Sequence, residues 1–308
     1  MRGRRVVLLI VAAPLIGCER EIIVLDRVRQ DEFTQPDVLR SADVLFVVDD
    51  SKSMVEEQAL LQDGILGFVR ALRETDVDYR FMVVTTDTDG SGAGAARGGV
   101  LDPFVPDVEA AAVEALDVGT SGDRFERGMS AAALALDGRN EGFPRADARL
   151  DVVFLSDEDD QSDVDVSAWL AATDARSGGL GFAVHGVVGD LPAGCASPGG
   201  AANAGARYHE AIAATGGLVE SICAASYAAV LERVGLTAAG LQDTFPLGAI
   251  PVVETLEVEV DGVIIPGRDV DGWTWDAGQS AIVFHGRSVP RPGMDIAVRY
   301  EVLERAGG

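Results

Sequence analysis

From residue 43 onward, apolar positions along the chain alternate between two rhythms. Short unbroken runs at 43–48 (DVLFVV), 79–86 (YRFMVVTT), 151–156 (DVVFLS) and 182–188 (FAVHGVV) have the length and β-branched content of strands buried on both faces. Between them the apolar positions fall at helical spacing. Leu61, Ile65, Phe68, Val69 and Leu72 predict a helix over 53–74 with one buried face, and Phe125, Met129, Ala132 and Leu136 outline a second. Further helices are predicted around Trp169 and Leu170, over 204–214, and where Tyr227, Val230, Leu231 and Val234 line up; a short strand over 217–222 precedes the last. Strands alternating with amphipathic helices mean an α/β unit over 41–235, built on a doubly wound, mostly parallel sheet covered on both faces.

The pattern changes after residue 235. Residues 236–250 (LTAAGLQDTFPLGAI) show no clear period and read as a linker. In 251–308, Leu256, Val258 and Val260 alternate with polar residues, Asp261-Gly262 supplies a turn, and Ile296, Val298, Tyr300 and Val302 alternate again. These features predict a small antiparallel β domain that packs on the larger unit, because so short a segment buries little core alone. The stretch 22–34 is a candidate extra strand for it, within an N-terminal tether spanning 18–40. Trp273 and Trp275 share one strand face and read as core or interdomain packing.

At 308 residues and 47% apolar composition, the chain is long enough for two domains and too hydrophobic for wholesale disorder. Fifty acidic residues against 25 basic ones give a formal charge of −25. That surface repels phosphate backbones, which argues against nucleic acid and favours divalent cations or basic surfaces as partners. Lys52 is the only lysine.

The first eighteen residues, MRGRRVVLLIVAAPLIGC, join a basic start (Arg2, Arg4, Arg5) to an apolar stretch too short to span a bilayer. Their end, Leu15-Ile16-Gly17-Cys18, resembles a bacterial lipobox. The resemblance implies a leader over 1–17 and lipidation at Cys18. Glu19 follows where an inner-membrane retention signal would carry Asp, so the outer membrane is the expected address. With Cys18 lipidated, Cys195 and Cys223 form an even pair in an exported chain and are expected to be disulfide-bonded. No CxxC or Cys/His spacing points to zinc.

The first strand runs directly into Asp49-Asp50-Ser51-Lys52-Ser53. The segment VLFVVDDSKSM resembles the DxSxS signature of von Willebrand factor A domains, in which the motif opens a metal-ion-dependent adhesion site. The chemistry suits the spacing: at a strand end that turns into a helix, alternate side chains aim at one point, and a carboxylate with two hydroxyls makes a hard oxygen set for Mg²⁺, Mn²⁺ or Ca²⁺. The resemblance covers about 41–235. It implies a further Asp at a later strand end, for which Asp157 in VVFLSDEDD is the candidate, and a Thr from an intervening loop. In DVGTSGDRFERGMSAA that residue is Thr120, with Ser121 and Asp123 as alternatives. The expected ligands are thus Asp49, Ser51, Ser53, Thr120 and Asp157, and the implied partner is a protein offering an acidic side chain to the ion. The competing interpretation is a metal-independent scaffold in which Asp49 and the serines cap a helix.

Other motifs carry less. Asp159, Asp160, Asp163 and Asp165 read as a solvated acidic loop, with a second ion as the alternative, and Asp87-Thr88-Asp89-Gly90 reads as a turn. His185, His209 and His285 are far apart and are expected to be structural. No nucleophile elbow or HExxH motif is present, so no enzymatic activity is expected.

Overall fold

The burial that the apolar runs predict is realised along the strand that leads into the DxSxS motif, which alternates between two cores. The computed structural model describes residues 28–302 except 38, 76, 123–124 and 198–199; the leader, Cys18 and Asp123 lie outside the described residues. In chain order the strands are β1 (Val28–Thr34), β2 (Ser41–Val48), β3 (Asp78–Thr85), β4 (Arg97–Leu101), β5 (Arg149–Ser156), β6 (Phe182–Val188), β7 (Cys195–Ala196), β8 (Ala201–Ala202) and β9 (Val219–Ser221). The helices are α1 (Val55–Arg73), α2 (Val108–Leu116), α3 (Gly128–Ala135), α4 (Val166–Asp174), α5 (Ala206–Thr215) and α6 (Ala228–Ala238).

Six strands form a mixed central sheet in the order β4-β3-β2-β5-β6-β9. All neighbours run parallel except β4, which closes one edge antiparallel. Successive side chains of a strand point to opposite faces, so Val44, Phe46 and Val48 of β2 enter one core while Leu45 and Val47 enter the other. The first core is roofed by α1, α2 and α6, the second by α3, α4 and α5. Phe68 of α1 meets Phe46 and Phe81 edge-on at 5.0 and 5.3 Å. Truncating it to Ala would cost about 3–5 kcal/mol. Gly64 and Gly235 allow α1 and α6 to touch: a Cβ on Gly64 would fall 2.8 Å from Leu231, and one on Gly235 would fall 2.8 Å from the Phe68 carbonyl.

The remaining strands are β10 (Thr244–Pro246), β11 (Glu257–Val260), β12 (Val263–Ile265), β13 (Gly272–Asp276), β14 (Ala281–His285) and β15 (Asp295–Glu301). They form two antiparallel sheets, β1-β15-β11-β12 and β10-β14-β13, packed around Phe245, Val258, Trp273, Ile282, Phe284, Ile296, Val298 and Tyr300. Trp273 and Trp275 both belong to this core, and the Trp273 indole N–H donates to the Ile265 carbonyl at 2.8 Å. β1 pairs along its whole length with β15, so the N-terminal segment completes the C-terminal unit. The stretch read as a linker is not structureless: α6 continues to Ala238 and β10 occupies 244–246.

The small unit joins the base of the large one, at the N-terminal ends of the parallel strands. The buried Gln35 side chain donates to the carbonyls of Gln242 and Pro290, both at 2.8 Å, and accepts from the Gln242 N–H at 3.1 Å. Leu236, Leu241, Ala71 and Val289 form a minor apolar cluster beside it.

Candidate cation site

At the opposite, C-terminal edge of the sheet, β2 and β5 end side by side. Hydrogen bonding continues one residue past β2, where the Asp49 N–H donates to the Leu155 carbonyl at 2.9 Å. Asp49 is fully buried. One of its carboxylate oxygens accepts the Ser51 N–H at 2.8 Å, which folds the loop back on itself, and the other accepts the Ser156 hydroxyl at 2.7 Å. The Ser51 and Ser53 hydroxyls lie 3.0 Å apart, and the Ser53 hydroxyl in turn bonds the Asp157 carboxylate. Four of the five expected ligands, Asp49, Ser51, Ser53 and Asp157, are therefore joined in one connected set, contributed by the β2–α1 loop and the end of β5.

The segment between α2 and α3 reaches over this set. Gln58 of α1 donates to the Asp49 carbonyl at 3.1 Å and to the Gly119 carbonyl at 2.8 Å, and the Gly122 N–H donates to the Asp50 carbonyl at 2.9 Å. Gly122 has to be glycine, because a Cβ there would fall 2.3 Å from the Asp50 carboxylate. Thr120 lies between these two anchors, half-buried, and Ser121 beside it is exposed. The side chain of this segment that meets Asp49 belongs to a residue the sequence did not single out, Glu126. It lies just ahead of α3, fully buried, and its carboxyl contacts Asp49 and accepts the Thr86 hydroxyl. The Gln161 N–H holds the Glu126 backbone carbonyl at 2.7 Å.

Removal from water dominates the electrostatics here. Burial, reinforced by the neighbouring Asp49 charge, raises the Glu126 carboxyl to about 9, so at neutral pH it carries a proton and can donate to Asp49. Burial raises Asp157 to about 6, against the opposing Ser53 hydrogen bond and with Asp49, Glu158 and Glu57 adding repulsion. Asp50 is likewise raised to about 6, by burial and then by Asp87 and Asp49. Glu57, on the first turn of α1, is raised by burial, and Glu56 and Asp49 reinforce the shift. One oxygen each of Asp50, Glu57 and Asp157 is buried and accepts no hydrogen bond among the described residues. Unsatisfied buried carboxylate oxygens are costly, and a hard cation is the group that would satisfy them. Among the described residues no three His, Cys, Asp or Glu side chains converge as a ready-made metal cluster. The donor set is instead two carboxylates with hydroxyl oxygens, a hard oxygen set of the kind that takes a divalent cation.

The acidic loop that follows is not solvated at its start. Asp160 is buried and accepts the Met129 N–H at 3.0 Å, the Ser162 hydroxyl at 2.8 Å and the Arg207 guanidinium at 3.0 Å. Asp159 accepts the Arg207 N–H at 2.9 Å, and Asp165 caps α4. These carboxylates already have protein donors, and they brace the Asp157 loop. On its other side, the Asn203 N–H donates to the Asp157 carbonyl at 2.8 Å. Asn203 closes the β7–β8 hairpin, which the Cys195–Cys223 disulfide ties to the segment between β9 and α6. The three histidines are taken up elsewhere: His185 by Asp151 and the Leu218 N–H, each at 3.0 Å, His209 by the Gly189 carbonyl at 3.2 Å, and His285 by Thr274 at 2.7 Å. Among the described residues no helix is long and apolar enough to cross a membrane.

No family model matches the chain, and no curated protein matches it. Among solved structures it is similar to the pilus adhesin SpaC from Lactobacillus rhamnosus GG, at 12% identity over 89% of this chain and 43% of that one, with a TM-score of 0.39. It is also similar to proximal thread matrix protein 1 from the mussel byssus with a zinc-occupied MIDAS motif, at 17% identity over 68% of this chain and 48% of that one, with a TM-score of 0.42. The chain spans less than half the length of these proteins. The likenesses are loose, and the site stands on the chain's own residues.

Proposed function

We propose that this chain is a cation-dependent binding protein of the von Willebrand factor A kind, displayed on the cell envelope through lipid at Cys18. The observation that carries this reading is the set Asp49-Ser51-Ser53-Asp157 at one sheet edge, near buried carboxylate oxygens that accept no hydrogen bond among the described residues. A divalent ion held by these four residues and Thr120, with Ser121 as the alternative loop ligand, keeps positive charge toward solvent. An acidic side chain of a partner protein completes its coordination, which makes the ion a bridge between two proteins and not a reaction centre. The donor set supports Mg²⁺ first, with Mn²⁺ and Ca²⁺ as substitutes. The basic leader and the Leu15–Cys18 lipobox support a lipid anchor, and Glu19 in place of Asp after the cysteine supports the outer membrane as its address.

Thermal unfolding of the chelated protein, titrated with Mg²⁺, Mn²⁺ and Ca²⁺, tests the site, because an ion that binds only the folded state raises the melting temperature with concentration. Asp49→Ala is expected to abolish that rise. A wild-type melting temperature indifferent to all three ions would leave a metal-independent scaffold as the function. Membrane fractionation of Cys18→Ala, expected to be released in soluble form, tests the anchor separately.

A further inference from the structure

The residue between the two ligand serines is the sole lysine of a strongly acidic chain, and its position has a consequence for the partner. Lys52 opens the short 3-10 turn that follows Ser51 and is exposed, while the next apolar residue, Met54, is buried. It makes no ion pair among the described residues, although Glu56 lies one turn along the same exposed rim and Glu158 lies at the end of β5. Glu158 instead accepts from Gln161 at 2.9 Å. Arg127 on this edge is already committed: its guanidinium reaches Thr88 at 3.0 Å and Asp89 at 3.7 Å, and it lies against the Phe125 ring at 5.4 Å; Arg207 is likewise taken up by Asp160 at 3.0 Å. Among the described residues Lys52 is thus a positive side chain beside the ion site with no ion pair of its own. The exposed Glu56 and the half-buried Glu158 nearby would repel an acidic partner wherever the ion's charge did not reach.

We propose that Lys52 is a specificity-determining residue, and that the partner segment carries two carboxylates on neighbouring residues, one for the ion and the second for the Lys52 ammonium. This rests on the cation reading above. Successive Cα atoms lie about 3.8 Å apart, and because side chains of an extended segment alternate between faces, it is a turning segment that would bring adjacent carboxylates to one side, toward the ion and a long, flexible lysine. A compact ammonium on a four-carbon stem tolerates variation in that spacing better than a rigid guanidinium does. The two-point contact separates a dicarboxylate segment from the isolated surface carboxylates any protein offers. It also gives the ion site a preference that the metal ligands alone do not encode.

The test uses the full chain loaded with Mn²⁺, with water-proton relaxation reporting displacement of metal-bound water. The probes are acetyl-Asp-Glu-amide and acetyl-Asp-Gln-amide. Wild type is expected to bind the dicarboxylate peptide about threefold to fivefold tighter, as an exposed charge pair allows, with the preference shrinking at high salt. Lys52→Gln should bind both peptides equally while Mn²⁺ affinity stays within about twofold of wild type, and Lys52→Arg should keep part of the preference. Mn²⁺ binding without peptide discrimination in the wild type, or undiminished discrimination in Lys52→Gln, overturns the role of Lys52 and leaves the ion reading intact. Failure to bind Mn²⁺ overturns the ion reading and this inference together.

Discussion

The two central strands carry the same chemistry at both ends and treat it in opposite ways. β2 has Asp43 near its start and Asp49 just past its end; β5 has Asp151 near its start, with Asp157 just past its end. All four carboxylates are buried. At the base, each is given an arginine by the chain itself: Asp43 pairs with Arg145 at 2.7 Å, and Asp151 with Arg149 at 3.0 Å, with His185 hydrogen-bonded to it at 3.0 Å. At Asp151 burial is outweighed by the His185 hydrogen bond and Arg149, which hold the carboxyl below the usual range, whereas at Asp43 burial prevails over the Arg145 pairing and the carboxyl is raised. At the top the same desolvation meets hydroxyls and further acids, and Asp157 rises to about 6. The fold pairs the buried aspartates at the base with arginine, and Asp160 beside the site with Arg207, but among the described residues it gives Asp49 and Asp157 no such partner. The missing positive charge at that edge is the physical case for a cation.

The largest effect expected from disturbing this contrast is at the base. Arg145→Ala leaves Asp43 buried without its partner and should cost about 3–5 kcal/mol in chemical denaturation, by the same amount with and without Mg²⁺. A loss that Mg²⁺ repairs would mean the two edges are not independent. Next comes the disulfide. Replacing Cys195 and Cys223 by Ser should cost about 3–4 kcal/mol in the chain-entropy model. Because the hairpin it secures also holds the Asp157 carbonyl through Asn203, Mg²⁺ affinity should fall as well; unchanged affinity would confine the bridge to a purely global role.

The pH dependence separates the edges next. In chelator, Asp50 and Asp157 at about 6 and Glu126 at about 9 lie above their ordinary values of 3.8 and 4.5. The folded state then binds these protons more tightly than the unfolded chain. Their contribution to stability is fully present below about pH 4 and is lost as pH rises through 6 and on toward 9. Melting temperatures in chelator should therefore decline across that window. Saturating Mg²⁺ should reverse the slope, because the ion displaces the same protons. Matching slopes with and without Mg²⁺ would show that the ion does not sit among these groups.

What was legible in the chain follows from the same physics. β2, β5 and β6 are buried on both faces and so read as unbroken apolar runs, and Asp49, Ser51 and Ser53 are local to one turn. α2 and β4 were not legible, because they lie in a Gly/Ala-rich stretch where VEAAAVEAL offers little contrast between faces and RGGVL is an exposed edge. β10 is three residues long and borrows its order from β14. Glu126 lies inside the segment expected to supply the loop ligand, but an acid ahead of a helix ordinarily reads as a solvated cap. Only the tertiary approach of Thr86 and Asp49 turns it into a buried, protonated group. The bracing of Asp160 by Arg207 spans 47 residues and leaves no local mark.

The smallest effect expected is the most discriminating for the top edge. Glu57 is a surplus carboxylate: one of its oxygens is buried without a donor, Asp157 feels its charge, and a Cβ on Gly200 of the hairpin loop would sit 3.6 Å from its other oxygen. If it only repels, Glu57→Gln removes a buried charge without changing shape, and the chelated protein should gain up to about 1 kcal/mol near pH 7 while Mg²⁺ affinity changes little. If instead it lends its charge to the ion, the gain in chelator is offset by weaker binding, and Ca²⁺, which takes more oxygen ligands than Mg²⁺, should suffer more. Denaturation in chelator and ion titration on this one variant therefore separate a carboxylate that merely crowds the site from one that tunes which ion it holds. In either case a gain in stability on removing a charge at this edge would stand against the loss expected on removing one at the base.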